Sequence, residues 1–338
     1  MQWIPLIVVA VCVFVGTLAL TGIVLKFLRS RAILDYPNQR SSHLIPTPKG
    51  AGIAVICCIS IACIIVSWST PMEETILTII LAVLTLALFS WFDDLRGISP
   101  LWRLLLQICA VAFVILMPWS SPSYEINIFN ELLPVGWGYF VVGLIWVWFI
   151  NLFNFMDGID GISGLEMATI GVGISLVVLL AGLTPLLGLL GVIVAASALG
   201  FLVWNWHPAK IFLGDVGSVP LGFLLGWLLL QLANHGQWAA ALILPLYYLG
   251  DGTLTLIIRV IHGKKIWHAH HEHFYQQAVS QGFSHAEVVQ NIFLINVLLI
   301  VLATISVIGW GWQLLTIACV IVSWLLFILS ARNGPGKL

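Results

Sequence analysis

Eleven long apolar runs account for most of this chain, and they limit its fold more than any other feature of the sequence. Each has 16 residues or more, and a helix needs ~20 predominantly apolar residues to cross a bilayer. The runs lie near residues 4–28, 50–68, 75–92, 101–119, 137–155, 164–182, 185–204, 218–233, 239–258, 286–308 and 311–330. The pattern predicts an all-α, polytopic integral membrane protein with about 11 transmembrane helices, or 10 if one of the very short connections at 182–185 and 309–312 is not a boundary.

The composition leaves no room for a large soluble domain. Hydrophobic residues make up 61% of the 338 residues and charged residues 8%, about a third of the ~25% that a soluble chain carries. We therefore expect a single transmembrane domain over residues 1–338 with short polar loops. The formal net charge of −1 gives no basic surface of the kind that nucleic-acid binding requires, so no nucleic acid is expected as a partner.

The cysteines and the first apolar run fit the same interpretation. All six cysteines fall inside apolar stretches, where we expect small buried hydrophobes rather than disulfides or metal ligands. The first run lacks a basic beginning and extends to Lys26. It is therefore expected to be a first span rather than a cleaved signal peptide.

The positive charges predict which way the spans face. If the N-terminus lies outside, all 13 Lys and Arg residues fall on the inner side or at the inner ends of spans. The opposite loops, near 69–74, 120–136, 182–185, 234–238 and 309–312, contain none. Because Lys and Arg collect in cytoplasmic loops, the sequence predicts an outer N-terminus and a cytoplasmic face that carries the basic loops.

The chemically capable residues lie on that same face. They occupy five loops, as Asp35, His43, Asp93, Asp94, Asp157, Asp160, Asp215, His268, His270, His271 and His273. A single Asp beside Gly is ordinarily a turn residue. Five loops enriched in carboxylate or imidazole on one side instead predict a single composite cytoplasmic site.

The first two loops are interpreted as a ligand-binding loop and a pair of carboxylates. Residues 35–52 contain three prolines, which prevent a helix, and a pair of glycines that lets the backbone approach a ligand closely. We expect a rigid binding loop there. Asp93 and Asp94 are adjacent at the end of a span, where neighbouring carboxylates suit a bound cation or a proton acceptor. The alternative, an ordinary helix C-terminus, is disfavoured because acidic groups oppose the helix dipole at that end.

The third and fourth loops carry amides and carboxylates. Asn151, Asn154, Asp157 and Asp160 recur at intervals of three, so they would line one face if the segment were helical. In the segment 204–218 the sequence GDVGS surrounds Asp215, a hard oxygen ligand of the kind that Mg²⁺ accepts beside substrate phosphates.

The fifth loop, KKIWHAHHEHFYQQ, packs four histidines into six residues. A zinc site is one interpretation, but no cysteine or second ligand cluster lies nearby, and HEHF is not the HExxH pattern of a zinc peptidase. A solvated loop without function is another. We favour a loop that hydrogen-bonds a pyrophosphate through imidazole or ammonium groups.

Taken together, these segments resemble one known family. RSSHLIPTPKGAG, FDDLRG, NLFNFMDGIDG, FLGDVGS and HAHHEHFYQ are similar, in order and on the cytoplasmic side, to the motifs of the polyprenyl-phosphate N-acetylhexosamine-1-phosphate transferases of glycosyltransferase family 4, which include the phospho-MurNAc-pentapeptide translocase. The beginning at Arg40 and the short C-terminus are more similar to the branch that initiates O-antigen synthesis.

The resemblance implies roles for the loop residues. Asp215 would bind Mg²⁺, with Mn²⁺ as an alternative, while Asp93 and Asp94 would lie beside the lipid phosphate with Asp93 as the base. The nucleotide sugar would contact Asn154, Asp157 and Asp160. The remaining implied substrate and diphosphate contacts are His43, Lys49, Asn205, Phe212, His270 and His273.

The implied reaction is transfer from a UDP-N-acetylhexosamine (GlcNAc, FucNAc, QuiNAc or GalNAc) to undecaprenyl phosphate in the bacterial inner membrane, with a homodimer as the implied assembly. Two other classes fit an apolar chain with buried acids. A secondary transporter would place ionisable groups near the bilayer midplane, and Asp251 is the one mid-span candidate. A lipid-diphosphate phosphatase would use the histidines.

Overall fold

The computed structural model describes residues 3–37, 45–68, 70, 73–117, 128, 133–265 and 271–331. Within them the chain is helical apart from one very small sheet. The helices are α1 (Trp3–Ser30), α2 (Gly52–Ser67), α3 (Glu73–Arg96), α4 (Pro100–Leu116), α5 (Val135–Phe155), α6 (Ile162–Leu180), α7 (Pro185–Asn205), α8 (Asp215–Asn234), α9 (Trp238–Ile243), α10 (Leu246–Ile261), α11 (Phe274–Ser280), α12 (His285–Ile305) and α13 (Gly311–Ala331).

The helices confirm the predicted all-α membrane architecture. Eight of them in the described part of the chain are long and apolar enough to cross a membrane, and the apolar helices α2 and α4 are shorter. The ninth predicted span is broken into α9 and α10 at Leu244 and Pro245, because proline cannot donate the helical hydrogen bond and its ring displaces the preceding turn. The exact number of spans stays a prediction.

Helix α8 lies at the centre of the bundle. Residues 216–232 of this helix are all buried, and α3 and α5 pack along it. The indole of Trp146 donates to the carbonyl of Phe223 at 2.9 Å, which ties α5 to α8. Large side chains such as Ile23 and Phe327 instead point outward, as helices in contact with lipid require. Cys12, Cys109 and Cys319 are also exposed, so the expectation of burial is wrong for them.

The first predicted binding loop begins and ends as a small hairpin. Strands β1 (Leu34–Asp35) and β2 (Thr47–Pro48) pair antiparallel, a feature that the sequence did not predict. The chain continues alongside the segment before α8, where Lys49 forms a parallel bridge with Phe212. A Cβ on Gly52 would lie 2.3 Å from the Cα of Gly217, so only glycine permits this approach. The first loop is thereby held against the GDVGS turn.

The segment after α5 corrects one prediction. Helix α5 ends at Phe155, and residues 156–161 form turns and irregular backbone before α6 begins at Ile162. Asn151 and Asn154 share the end of a helix, but Asp157 and Asp160 do not continue its face. Gly161 has a φ of +82°, a left-handed conformation in which the motif turns instead of extending the helix.

Candidate active site

Lys49 lies between two of the predicted carboxylates. Its Nζ is 2.7 Å from Oδ1 of Asp94 and 3.5 Å from Oδ1 of Asp215. Burial alone would lower the pKa of Lys49, but the negative charges of Asp215 and Asp94 outweigh it and raise the pKa. The ammonium group is therefore held charged at the junction of the first loop, α3 and α8.

Asp94 also completes the beginning of α8. The residue before that helix is Gly214, which has no side chain to cap the free backbone N–H groups. The Asp94 carboxylate accepts from the N–H of Asp215 at 3.2 Å and from the N–H of Val216 at 2.9 Å. A carboxylate is favoured there by the positive end of the helix dipole. Asp94, at the end of α3, is thus stabilised by the start of another helix.

Arg103 forms ion pairs with Asp93 and Asp215. Its Nε contacts Oδ2 of Asp93, and its NH1 group donates to Oδ2 of Asp215 at 3.0 Å. Asp93 further accepts from the N–H of Ile98 at 2.5 Å. Arg103 lies in the first turn of α4, so Asp93, Asp94 and Asp215 come together with two cations supplied by separate parts of the chain.

Asn154, which the resemblance implies as a contact of the nucleotide sugar, lies in this charged cluster. Its Nδ2 lies 3.3 Å from Oδ1 of Asp215 and donates to Oγ of Ser218 at 2.7 Å. The end of α5 is therefore fixed against the first turn of α8. We call Lys49, Asp93, Asp94, Arg103, Asn154 and Asp215 the carboxylate–cation cluster.

Asp157 faces the same cluster from the turn after α5. Burial raises the pKa of its carboxyl to about 6, while a hydrogen bond with Ser163 and the charge of Lys49 act in the opposite direction. The negative charges of Asp215 and Asp94 contribute to the increase. Asp157 is consequently close to half-ionised near pH 6 and can gain or lose a proton under mild conditions.

Asp160 lies in a second group, with two histidines. Its Oδ2 is 2.6 Å from Nδ1 of His207 and 3.3 Å from Nδ1 of His285, and it accepts from the N–H of Ala209 at 3.1 Å. Burial raises the pKa of Asp160, but the hydrogen bonds to His285 and His207 prevail and lower it. Asp160 is therefore held in its ionised form. Its partners are His207, His285 and Ala209, and none of them belongs to the carboxylate–cation cluster.

Asn205 and Phe212 shape the segment between α7 and α8. The Asn205 side chain is buried, accepts from the N–H of Gly161 at 2.9 Å and donates to the carbonyl of Ile211 at 3.0 Å. The carbonyl of Phe212 accepts from the N–H groups of Gly50 and Ala51. These contacts hold the loops that carry Asp157, Lys49 and Asp215 at fixed separations.

His273 lies apart from this cluster, at the start of α11. Its ring is buried, and Nδ1 is 3.2 Å from Oδ1 of Asp251. Asp251 is fully buried in α10. The predicted contacts His43 and His270 lie outside the described residues, as does His268.

The donor chemistry of the carboxylate–cation cluster fits Mg²⁺. Asp94 and Asp215 present carboxylate oxygens that share one ammonium group, and hard divalent cations prefer such oxygens. Among the described residues, the set whose ligand atoms all lie within 4.8 Å of one another is Asp160, His207 and His285. Its imidazole nitrogens suit Zn²⁺ better than Mg²⁺, and its atoms are already hydrogen-bonded to one another. Asp94 and Asp215 therefore fit Mg²⁺ better.

Sequence reasoning missed four of these participants. Arg103 was counted only as an inner-side charge, and Ser218, His207 and His285 were not singled out. Arg103 follows the two acids by fewer than a dozen residues, which is a signal that could have identified it. The two histidines are far apart in the chain and come together only through the packing of α12 beside α6.

Comparison with known proteins identifies a similar family for part of the chain. Residues 76–233 match glycosyl transferase family 4. The matched segment is a little under half of the chain and reaches from the first turn of α3 to the last turn of α8, so it includes Asp93, Asp94, Arg103, Asn154 and Asp215. Together with the helical architecture, this match supports a membrane-embedded transferase.

Similar proteins fall into two groups by name. A probable undecaprenyl-phosphate N-acetylglucosaminyl 1-phosphate transferase from Bacillus subtilis (strain 168) is 25% identical over 98% of this chain and 93% of its own length. A phospho-N-acetylmuramoyl-pentapeptide-transferase from Microcystis aeruginosa is 31% identical over 63% of this chain and 64% of its own length. Another from Rippkaea orientalis is 26% identical over 89% of this chain and 86% of its own length.

Proposed function

We propose that this transferase moves an N-acetylhexosamine 1-phosphate from a UDP-sugar to undecaprenyl phosphate, giving undecaprenyl-diphospho-N-acetylhexosamine and UMP. The observation that carries the proposal is the carboxylate–cation cluster, in which Lys49 and Arg103 hold Asp93, Asp94 and Asp215 together. Phosphoryl transfer depends mainly on positioning and on neutralisation of charge. The name of the Bacillus subtilis relative, which specifies undecaprenyl phosphate, supports the acceptor.

The reaction exchanges one phosphoanhydride bond for another. An oxygen of the acceptor phosphate attacks the phosphorus that carries the sugar, and the bond from that phosphorus to the bridging oxygen breaks. UMP leaves with that oxygen. Asp93, oriented by Arg103 and the N–H of Ile98, is the proposed base for a proton on the acceptor phosphate. We favour this direct attack over a covalent phospho-sugar enzyme because it needs fewer steps.

Charge at the reacting phosphates would be balanced by the same cluster. Asp215 and Asp94 would hold Mg²⁺, with Mn²⁺ able to substitute, and the bound ion supplies neutralisation of the diphosphate. Lys49 lies between these carboxylates and would share the negative charge of the donor. Asn154 fixes Asp215 through its amide.

The donor would extend from the cluster towards Asp157 and Asp160. Asp157 would act in catalysis and Asp160 would contact the nucleotide sugar, while Asn205 and Phe212 keep the surrounding loops in place. His43 and His270 are proposed to add contacts to the donor. His273, through Asp251, would hold the end of the histidine loop.

A product assay tests the reaction. Purified full-length protein with undecaprenyl phosphate, Mg²⁺ and each radiolabelled UDP-sugar of a GlcNAc, FucNAc, QuiNAc and GalNAc panel should give a butanol-extractable lipid and UMP with at least one donor. Release of inorganic phosphate from a lipid diphosphate would support the phosphatase instead. Accumulation of label in sealed vesicles without a lipid product would support a transporter.

The proposed setting is the bacterial inner membrane, at the first step of O-antigen or a related envelope glycan. The N-terminus would lie outside and the site in the cytoplasm, as the positive charges favour. A membrane-impermeant thiol reagent should label Thr184→Cys from outside and Ile45→Cys only after permeabilisation, since both positions are exposed. Labelling of Ile45→Cys in intact cells would contradict this orientation.

A further inference from the structure

A buried polar stripe runs along α6, which begins just after the turn that holds Asp157 and Asp160. Ser163, Glu166 and Thr169 follow one another at intervals of three and are all buried, so they share one face of the helix. Helix α6 is apolar and long enough to cross a membrane. An ionisable side chain inside such a helix is costly and therefore indicates a function. Glu166 is the ionisable residue of this stripe, and the proposed reaction does not use it.

The Glu166 carboxyl has one hydrogen-bond donor among the residues that the structure describes. Glu166 is 0% exposed, and its Oε2 accepts from Nδ2 of Asn296 in α12 at 2.7 Å. No ion pair within the described ranges includes Glu166. Asp251 is equally buried, but it accepts from the hydroxyls of Tyr247 and Thr255 and from two backbone N–H groups. Because an ionised carboxylate without a cation or several donors is expensive to bury, the surroundings of Glu166 suit a neutral acid.

The second contact of Asn296 fixes the orientation of its amide. Nδ2 of Asn296 also donates to Oγ1 of Thr169 at 3.1 Å, and the Thr169 hydroxyl itself donates to the carbonyls of Leu165 and Glu166. That hydroxyl can therefore only accept from Asn296. Two buried oxygens are left without a partner in the described part of the molecule, Oε1 of Glu166 and Oδ1 of Asn296. A proton on Oε1 would supply the donor that Oδ1 lacks.

We propose that Glu166 binds a proton and, as a neutral acid, forms two hydrogen bonds with Asn296. The amide N–H donates to Oε2, and the acid O–H on Oε1 donates to Oδ1. A proton suits this site better than an alkali cation, because the NH2 group of Asn296 points at Glu166 and Thr169 and would repel a cation. The acid–amide pair joins α6 to α12 without burying a charge.

The helix that carries Asn296 also carries a histidine that contacts Asp160. Asn296 follows His285 by 11 residues, about three helical turns, so both lie on one face of α12. Nδ1 of His285 is 3.3 Å from the backbone nitrogen and 3.3 Å from Oδ2 of Asp160. Helix α12 is thus joined to α6 at Glu166 and to the turn before α6 at Asp160. Glu166 is therefore a positioning residue, which acts on Asp160 through α12 and His285.

Infrared spectroscopy tests for the proton. The wild type and Glu166→Gln would be compared in lipid nanodiscs at about pH 8, where Asp157, whose pKa burial raises to about 6, is ionised. The difference spectrum should show the loss of the C=O stretch of one protonated carboxyl. Glu287→Gln, which removes an exposed acid of α12, should instead lose the band of an ionised carboxylate. Loss of an ionised carboxylate band in Glu166→Gln would overturn the proposal.

Steady-state kinetics test the positioning of Asp160. This readout rests on the proposed function, in which Asp160 contacts the nucleotide sugar. Glu166→Gln keeps one donor and one acceptor opposite Asn296, so the KM for the donor should stay within about twofold of the wild type. Glu166→Ala removes the pair and should raise the donor KM about tenfold, or ~1.4 kcal/mol, while the acceptor KM is unchanged. The control Thr17→Val breaks another buried hydrogen bond between helices, with Ser197, and should change neither constant.

The two measurements separate the possible outcomes. An increase in donor KM as large in Glu166→Gln as in Glu166→Ala would overturn the acid–amide pair, and an unchanged donor KM in Glu166→Ala would overturn the positioning of Asp160. If Glu166→Ala does not fold, Glu166→Asp takes its place with the same expectation, because its carboxyl is one methylene further from Asn296. The infrared band does not depend on turnover. A protonated Glu166 in a protein that makes no lipid product would therefore support the proton site and refute the proposed function.

Discussion

Two aspartates of this protein are held in opposite ways. The Asp215 side chain is 20% exposed and is partnered by Lys49 and Arg103. Asp251 is fully buried and accepts hydrogen bonds from the Tyr247 hydroxyl and from the N–H groups of residues 274 and 275. Both are carboxylates at helices of the bundle, but only Asp215 has partners that a ligand could replace.

The two sets of partners indicate two roles, a reacting group for Asp215 and a structural group for Asp251. Long cationic side chains that remain partly exposed can turn towards an arriving phosphate, because the ion pairs that they leave are only partly desolvated. Backbone N–H groups at the start of a helix cannot turn away without unfolding it. Asp251 therefore fixes α11 and His273, while Asp215 can exchange its partners during a catalytic cycle.

The largest expected effect is that of neutralising Asp215. Asp215→Asn keeps the shape of the side chain but removes the charge that holds Lys49, Arg103 and the proposed ion, so turnover should fall by at least about a hundredfold, the scale of losing one positioned electrostatic group. The melting temperature in detergent should not change. Glu287→Gln, on the exposed capping box of α12, removes one carboxylate elsewhere and should leave turnover unaltered. Turnover of Asp215→Asn within threefold of the wild type at limiting Mg²⁺ would exclude Asp215 as the metal ligand.

Neutralising Asp251 should lower stability more than turnover, the reverse of what is expected for Asp215. Asp251→Asn leaves buried donors of α10 and α11 poorly paired, so the free energy of unfolding should fall by roughly 1–3 kcal/mol. Turnover of the folded fraction should fall less than in Asp215→Asn. Thermal unfolding in detergent and turnover per folded molecule would be measured on the same preparation. An unchanged melting temperature with abolished turnover would move Asp251 into the reacting site.

A smaller effect is expected in the pH profile, through Asp157. With its pKa raised to about 6 by burial, turnover should decline as pH falls below that value if the ionised form is the active one. The Ser163 hydrogen bond favours the ionised form, so Ser163→Ala should raise the pKa and move the acidic limb upward by roughly half a unit to one unit.

The control for that measurement is Ser60→Ala. Ser60 is a buried serine of α2 whose hydroxyl has no hydrogen-bond partner within the described residues. Its loss should leave the acidic limb in place. An acidic limb that stays in place in Ser163→Ala as well would show that the hydrogen bond does not act on Asp157.

The sequence predicts the helices well because each apolar run is long enough to be recognised as a membrane helix from its hydropathy. It predicts the breaks less well. Pro245 interrupts a predicted span. The proline was visible in the sequence, but a hydropathy average over a whole span does not register a single residue. The hairpin of β1 and β2 has two residues in each strand, too short for any alternation to be visible.

The site residues also fall into those that a local motif predicts and those that only the packing of helices brings together. Asp93, Asp94, Asn154 and Asp215 lie in motifs with several polar residues, and the structure brings all four together. The pairing of Asp215 with Arg103 depends instead on how α4 packs near α8, which no local pattern records. The face that Asp157 and Asp160 would share in a helix does not form, and Gly161 takes a left-handed conformation in the turn that replaces it.

The most direct test is the location of the divalent ion. Binding of Mn²⁺ to purified protein, followed by electron paramagnetic resonance, would be compared among the wild type, Asp215→Asn and Asp160→Asn. If Asp215 and Asp94 form the metal site, Asp215→Asn should weaken Mn²⁺ binding at least about tenfold, the loss that ~1.4 kcal/mol produces, and Asp160→Asn should bind as the wild type does. Mn²⁺ binding that survives Asp215→Asn and disappears in Asp160→Asn would place the ion with His207 and His285 and contradict the assignment.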